Sequence, residues 1–427
     1  MLQNENNNES KQLLVLLLAV VIDLFGFGMI LPFLPLWVTK IMNQSPFMFG
    51  VVVSSFSLFQ FLFAPFWGRL SDRIGRRPVI IIGVGGSVLG YGLLLINALF
   101  FITSIELMLV NRAVAGIFTS ATLPTSQAYI ADTTPPGPVR TKRFAILGAA
   151  LGFGFAIGPA IGGILTGFGE ILIPYIKGYW APALFATGLS LVNVIAAYFF
   201  LPEPKKQEFN AEMKQVSNQP ILTRQNPFFQ ITKAPTILFI MIIFAVVTFA
   251  FSNMQTTVVL LGELRFGLDE IGAGVVFLFI GVGLIVTQSV LLQRLAERIS
   301  DQVLILSGLI ALLIAFGGLS TIDSIWVLIF WNIPLAYGMG ILIPVTGSLL
   351  SKEAPKELQG SILGIYQSLG ALMRIFGPLG GAYLFEVNVV FPYYFGMLLL
   401  GVSILINVYL VRVIRNGRLE SESNLTS

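Results

Sequence analysis

Apolar residues run on along this chain for twenty or more positions at a time, and each run is closed by a short cluster of charged, Pro, Gly, Ser or Thr residues. Twelve such runs lie near 13–38, 47–67, 78–100, 104–130, 143–168, 180–201, 235–262, 271–292, 303–321, 325–350, 359–384 and 390–413. A helix rising 1.5 Å per residue needs about 20 apolar residues to cross roughly 30 Å of hydrocarbon. Barrel strands instead alternate apolar and polar over about ten residues, and these runs do not alternate. The pattern predicts an all-α membrane protein of twelve transmembrane helices. Its weakest divisions are Asn97 with Thr103-Ser104, and Thr321 with Asp323. The first run is too long for a signal-peptide core and holds Asp23, Pro32 and Pro35, so it reads as a retained helix.

Composition agrees. Of 427 residues 56% are hydrophobic and 11% charged, against about 25% charged in soluble domains. The chain has no Cys and no His. Disulfides, thiolate metal sites, cysteine nucleophiles and imidazole acid–base chemistry are therefore excluded. No clustered catalytic or metal-ligand set is present either, so an enzyme is disfavoured and neither cofactor nor metal is expected. Any proton-handling group must be a carboxylate.

Charge sets the expected orientation. Twenty of the 25 basic residues fall in the tails and loops on one side, and only Lys40, Lys177 and Arg265 on the other; Arg112 and Arg374 lie within spans. The positive-inside rule then puts both termini in the cytoplasm of a multi-pass inner- or plasma-membrane protein. It also explains the basic balance without nucleic acid. The polar stretch 202–234 reads as a flexible cytoplasmic linker. It separates a six-helix bundle at 13–201 from a second at 235–413, with cytoplasmic tails at 1–12 and 414–427. Single cysteines at Asn43 and Ser217 should react oppositely with an impermeant maleimide added outside intact cells; equal labelling would sink this topology.

The two halves repeat one another. Gly68-Arg-Leu-Ser-Asp-Arg-Ile-Gly75 follows the second run and Gln293-Arg-Leu-Ala-Glu-Arg-Ile-Ser300 the eighth; Gly158-Pro159 before Gly162-Gly163 in the fifth matches Gly377-Pro378 before Gly380-Gly381 in the eleventh. Two pseudo-symmetric bundles are expected, with a substrate site between them near mid-depth.

The loop Gly68-Arg69-Leu70-Ser71-Asp72-Arg73-Ile74-Gly75-Arg76-Arg77 carries the most specific signal. Gly68 and Gly75 would permit a tight reversal, Asp72 would meet a helix N-terminus, and Arg73, Arg76 and Arg77 would stay wet. The string resembles the major facilitator signature between helices 2 and 3, G-x-L-a-D-r-x-G-r-k. That resemblance implies the major facilitator fold, with Asp72 and the arginines latching the cytoplasmic side during alternating access. It also implies that Asp132, in Tyr129-Ile-Ala-Asp132, partners one arginine. Gly154 to Gly163, with Gly158, Pro159 and Gly162, resembles the family's antiporter signature g-x-x-x-G-P-x-x-G-G. In the family this marks drug–proton exchangers. Glycines four apart also allow close helix contact in lipid.

Asp23 lies some ten residues into the first run. A charged carboxylate at mid-bilayer costs roughly 2.5–3.5 kcal/mol on insertion scales, so it must face the bundle interior or water. There it could carry a proton. Asp23-Leu-Phe-Gly26-Phe-Gly28-Met-Ile-Leu-Pro32-Phe-Leu-Pro35 resembles helix 1 of the tetracycline-efflux branch. Leu109-x-x-Arg112-x-x-x-Gly116 resembles the helix 4 motif whose arginine is implicated in proton coupling, with Ala115 in place of the usual glutamine. Pairing of Asp23 with Arg112 is one arrangement open to them, and Glu106 reads as a wet helix end. Arg374 stands where the tetracycline-efflux branch has a small polar residue. It either contacts an anionic substrate group or bonds backbone carbonyls and snorkels. Gln367, Asn332, Trp331 and Asn253 join it as residues that could line a cavity.

The resemblance extends from Asp23 to the eleventh run and includes Leu201-Pro202-Glu203. It departs where tetracycline exporters carry an acid in helix 3, here Gly90-Tyr91, and another in helix 9, here absent, which argues against metal-chelated tetracycline. It implies a proton-coupled antiporter exporting small amphipathic organic compounds, a monomer in the bilayer whose partners are substrate, protons and lipid. The alternatives are an exporter of lipid, sugar or anionic metabolite on the same fold, or a non-transporting receptor or scaffold. Buried charges give the last of these no physical purpose.

Overall fold

A computed structural model of the chain describes residues 2–100, 104–134, 138–173, 177–204, 234–355 and 359–426, with the side chains of 2–13, 138–142, 144–145, 148–152, 155–156, 359–361 and 412–426 left aside. Nearly all of the linker expected at 202–234 lies outside these residues. Every regular element described is helical. In chain order they are α1 (Leu2–Ile30), α2 (Leu34–Ile41), α3 (Pro46–Ile74), α4 (Arg76–Leu99), α5 (Ile105–Thr133), α6 (Pro138–Leu172) and α7 (Trp180–Phe200). After the linker come α8 (Pro235–Phe266), α9 (Glu270–Ala296), α10 (Asp301–Ser320), α11 (Ile325–Glu353), α12 (Gln359–Val387) and α13 (Phe391–Thr426). Both α1 and α13 run on into the stretches expected as tails.

Among the described residues, ten helices are long and apolar enough to cross a membrane, or eleven if α1 and α2 form one bent span. In α6 the apolar part with described side chains is the shorter stretch Ile157–Leu172. The first predicted run is not straight: α1 and α2 meet at 42° across residues 31–33. Pro32 has no N–H for the helix ladder, and its ring crowds the carbonyl four residues back. Large apolar side chains such as Leu62, Ile164, Phe199, Trp326 and Leu405 stay more than half exposed, as a chain solvated by lipid requires.

Helix starts follow local chemistry. The hydroxyls of Ser45, Ser104 and Ser324 accept hydrogen bonds from Met48, Leu107 and Val327 N–H at the starts of α3, α5 and α11. Gly267, at φ +65°, ends α8.

The chain forms two compact units, 1–223 with 268–281, and 224–267 with 282–427. In the first, α1 packs on α6 and α7, and α4 on α5 and α7. In the second, α8 packs on α12 and α13, and α10 on α11 and α13. The pairings named correspond one to one, and matched glycines bring α6 onto α1 and α12 onto α8. A Cβ on Gly158 would lie 2.7 Å from Phe25 O in α1, and one on Gly377 2.9 Å from Phe249 O in α8. A tie between helix ends repeats with its charges exchanged. Arg76 of α4 meets Asp132 of α5 at 2.8 Å, whereas Asp301 of α10 meets Lys352 of α11 at 2.6 Å.

Candidate functional site

Asp23 is buried within the first unit, where its carboxylate accepts a hydrogen bond from the Ser87 hydroxyl of α4. One turn along α4, the Tyr91 hydroxyl donates to the backbone carbonyl of Asp23 at 3.1 Å. Tyr91 fits because Gly26 faces it; a Cβ there would sit 2.8 Å from the ring. Arg112 is also buried, on α5. It does not pair with Asp23. Its Nε and one terminal nitrogen donate to Asn111 Oδ1 at 3.0 and 2.7 Å, and Asn111 in turn donates to Gly90 O at 2.6 Å. The two charges thus meet the same stretch of α4, Asp23 through Ser87 and Tyr91 and Arg112 through Asn111 and Gly90, without pairing. Among the described residues, no cation pairs with Asp23 and no carboxylate with Arg112. Glu106 is exposed in the first turn of α5, bonded by Ser104 at 2.6 Å.

The α3–α4 turn differs from its sequence reading in three ways. Gly75 alone makes the reversal, at φ +104°; Gly68 lies inside α3, and a Cβ there would meet nothing within 4 Å. Asp72 sits in the last turn of α3 and pairs with Arg76 at 2.6 Å. The anion at the N-terminus of α4 is Glu203 instead, which accepts the N–H groups of Arg76 and Arg77 at 2.6 and 2.9 Å, where unpaired amides and the helix dipole favour negative charge. Of the three arginines expected to stay wet, Arg73 alone is exposed, with no bonded partner among the described residues. The Arg76 guanidinium bridges Asp72, Asp132 and Ser71, while Arg77 donates to Tyr198 O and lies 5.7 Å from the centre of that ring. Glu203 was visible in sequence only through Leu201-Pro202-Glu203. Its contact spans more than 120 positions, which no local pattern reveals.

The glycines of α6 form two seams. Gly154, Gly158 and Gly162 press on α1, where Met29 O would lie 2.1 Å from a Cβ on Gly162. Gly163 and the backbone of Pro159 press on the start of α9; a Cβ on Gly163 would lie 2.6 Å from Glu270 O, and one on Gly274 2.9 Å from Pro159 O. Beside this second seam the Tyr179 hydroxyl donates to Glu270 Oε1 at 2.7 Å. Burial, then the Glu270 charge, pushes the Tyr179 hydroxyl far above its usual pKa, so it stays a donor.

In the second unit the five residues grouped as cavity-lining separate. Asn253 is fully buried, donates to Pro392 O at 2.9 Å and packs on Gly381. Asn332 is buried and bonds its own helix at Leu328 O, and Trp331 lies over Gly318. Gln367 and Arg374 are exposed, on one face of α12.

A family model described as the Major Facilitator Superfamily matches residues 16–378. The class B tetracycline resistance protein of Escherichia coli is 31% identical over 369 residues, covering 86% of each chain. The class H protein of Pasteurella multocida is 28% identical over 404 residues, covering 94% of this chain and 95% of its own. The crystal structure of the human organic anion transporter MFSD10 superposes with a TM-score of 0.66 at 21% identity, over 93% of this chain and 99% of that one. Fold and relatives are those of a small-molecule transporter in the bilayer and not of an enzyme. The chain belongs to the Major Facilitator Superfamily.

Proposed function

We propose that this secondary transporter is a proton-coupled antiporter, exporting small amphipathic organic compounds by alternating access with Asp23 as the proton carrier. The observation that carries the reading is the state of Asp23. It is a buried carboxylate held by a neutral hydroxyl, with no Arg or Lys paired to it among the described residues. Such a group can be neutral or charged according to what surrounds it, and in a transport protein that is the property coupling needs. Arg112, held by Asn111 and not paired with Asp23, would stabilise the ionised form at longer range, and the seams of α6 would serve the exchange reaction. The ionic cluster of Asp72, Arg76, Asp132 and Glu203 would act as the cytoplasmic latch.

The substrate class is a separate matter. The tetracycline resistance proteins and the organic anion transporter share this chain's similarity, and Tyr91 stands where the tetracycline exporters were expected to carry an acid. A second reading is export of a lipid, sugar or anionic metabolite; within it an anionic compound is favoured over a cationic or metal-chelated drug by the guanidinium of Arg374, which has no ion-pair partner among the described residues.

The test is proton release by the purified protein in weakly buffered detergent as a panel of compounds is added. At least one compound should displace about one proton near neutral pH. Binding with no proton change at any pH would remove the antiport reading.

A further inference from the structure

The polar face of α12 contains a charge that the fold leaves unused. Arg374 lies fifteen residues after the start of α12 and thirteen before its end, roughly 22 and 20 Å along the axis. An arginine side chain cannot reach either interface from such a depth. Among the described residues its guanidinium has no ion-pair partner and no carbonyl to bond. The helices packed on α12 offer no carboxylate at its level. Glu386 is twelve residues further along α12, Glu263 is ten residues past Asn253 on α8, and Glu353 ends α11. The described span of α13, Phe391–Val411, contains no acid.

α12 also has two distinct open faces. Phe376, Tyr383 and Val387 form an exposed apolar stripe, the composition expected against lipid. Arg374 is two residues from Phe376 and therefore about 200° round the helix. Nearest Arg374 round the helix lie Gln367, Ala371 and Gly364, all small or polar, and Gly364 leaves open space above it. The Gln367 amide, two turns from Arg374, is also exposed and unengaged. A guanidinium stays charged under all physiological conditions, and in a membrane it must meet water or an anion.

We propose that Arg374, assisted by Gln367, is a binding site for the anionic group of the transported compound: a carboxylate, sulfonate or phosphate on an amphipathic body. This deepens the transport reading above by naming the class of its substrate. Bidentate geometry suits the guanidinium to such groups, and Gln367 supplies a neutral donor for a polar atom further along the compound.

Equilibrium binding to the purified full chain tests this without proton coupling, so its failure is distinct from failure of antiport. The probes are 2-naphthoate, its methyl ester and 2-naphthylmethylamine, at one pH, in non-ionic detergent. The wild type should prefer naphthoate. Arg374→Ala should weaken naphthoate about ten- to hundred-fold, as loss of a charge-assisted contact does, and leave the ester and amine unchanged. Because Arg374→Ala could misfold, Ala371→Glu is the second variant. It keeps the arginine and supplies a carboxylate one turn away on the same face, and should suppress naphthoate binding selectively. Repeating the titration in nanodiscs with and without phosphatidylglycerol identifies the source. Competition by that lipid in the wild type alone assigns the site to an anionic headgroup, and indifference to it assigns the site to a small compound. No preference for naphthoate in the wild type, or equal loss of all three probes in a folded Ala371→Glu protein, would overturn the proposal.

Discussion

Asp23→Asn is expected to abolish uphill efflux and to leave downhill exchange measurable. The substitution is close to isosteric, and its amide can still meet the Ser87 hydroxyl that now bonds the carboxylate. Tyr91 bonds the backbone carbonyl of residue 23 and not its side chain, so that contact is untouched. What disappears is the capacity to bind and release a proton. Proton entry is favoured by roughly 2.3 kcal/mol per 100 mV for each charge moved, and a chain without the carrier has no access to that energy. Everted vesicles energised by a respiratory substrate measure the uphill arm, and de-energised vesicles preloaded with compound measure the downhill arm. Wild-type gradient-driven efflux in Asp23→Asn would remove Asp23 from the coupling role.

Gly162→Ala adds one methyl group and should destabilise the protein far more than its size suggests. The new Cβ would lie 2.1 Å from Met29 O, 2.7 Å from Met29 C and 2.8 Å from Met29 Cα. All three are backbone atoms and cannot rotate aside, so α1 and α6 must separate. Overpacking commonly costs 1–3 kcal/mol, and rigid contact atoms place this case at about 3 kcal/mol or beyond. Gly188→Ala in α7 is the matched control, because a Cβ there meets nothing within 4 Å and alanine favours a helix by about 0.5–1 kcal/mol over glycine. Thermal unfolding of the two purified variants should move in opposite directions. Equal melting temperatures would mean that the α1–α6 contact is looser than described.

The helices were legible because crossing hydrocarbon leaves no choice of period or length; the runs at 47–67, 78–100 and 325–350 lie on α3, α4 and α11 with shifts at the ends. Helix ends were less so, since caps such as Ser45 and Ser324 lie outside the apolar runs. The bend after Ile30 was written in Pro32, although not its angle. Asp23 and Arg112 stood out because charge is rare in apolar sequence. Their actual partners, Ser87 and Asn111, did not, because a hydroxyl or amide costs little in a helix and occurs in many. Glu203 was hidden by distance along the chain. Arg374 was conspicuous from the start as a charge in an apolar run; its exposure beside Gln367 on α12, with no bonded partner among the described residues, could only come from the structure.

One helix touches everything that the first unit holds in balance. α4 begins on Glu203, with Arg76 tied to α3 and α5, and eleven residues later its Ser87 holds Asp23. An α-helix hardly stretches along its axis, so those points, roughly 16 Å apart, are joined as by a pushrod. If a change of charge at Asp23 loosened Ser87, any shift of α4 along its axis would arrive at Arg76 undiminished. Communication between the buried acid and the ionic cluster would then need no chain of rearranging side chains. Pro78 is in the first turn of α4, where no ladder N–H is needed; a proline at Ile82, past that turn, would break the rod and uncouple the two ends.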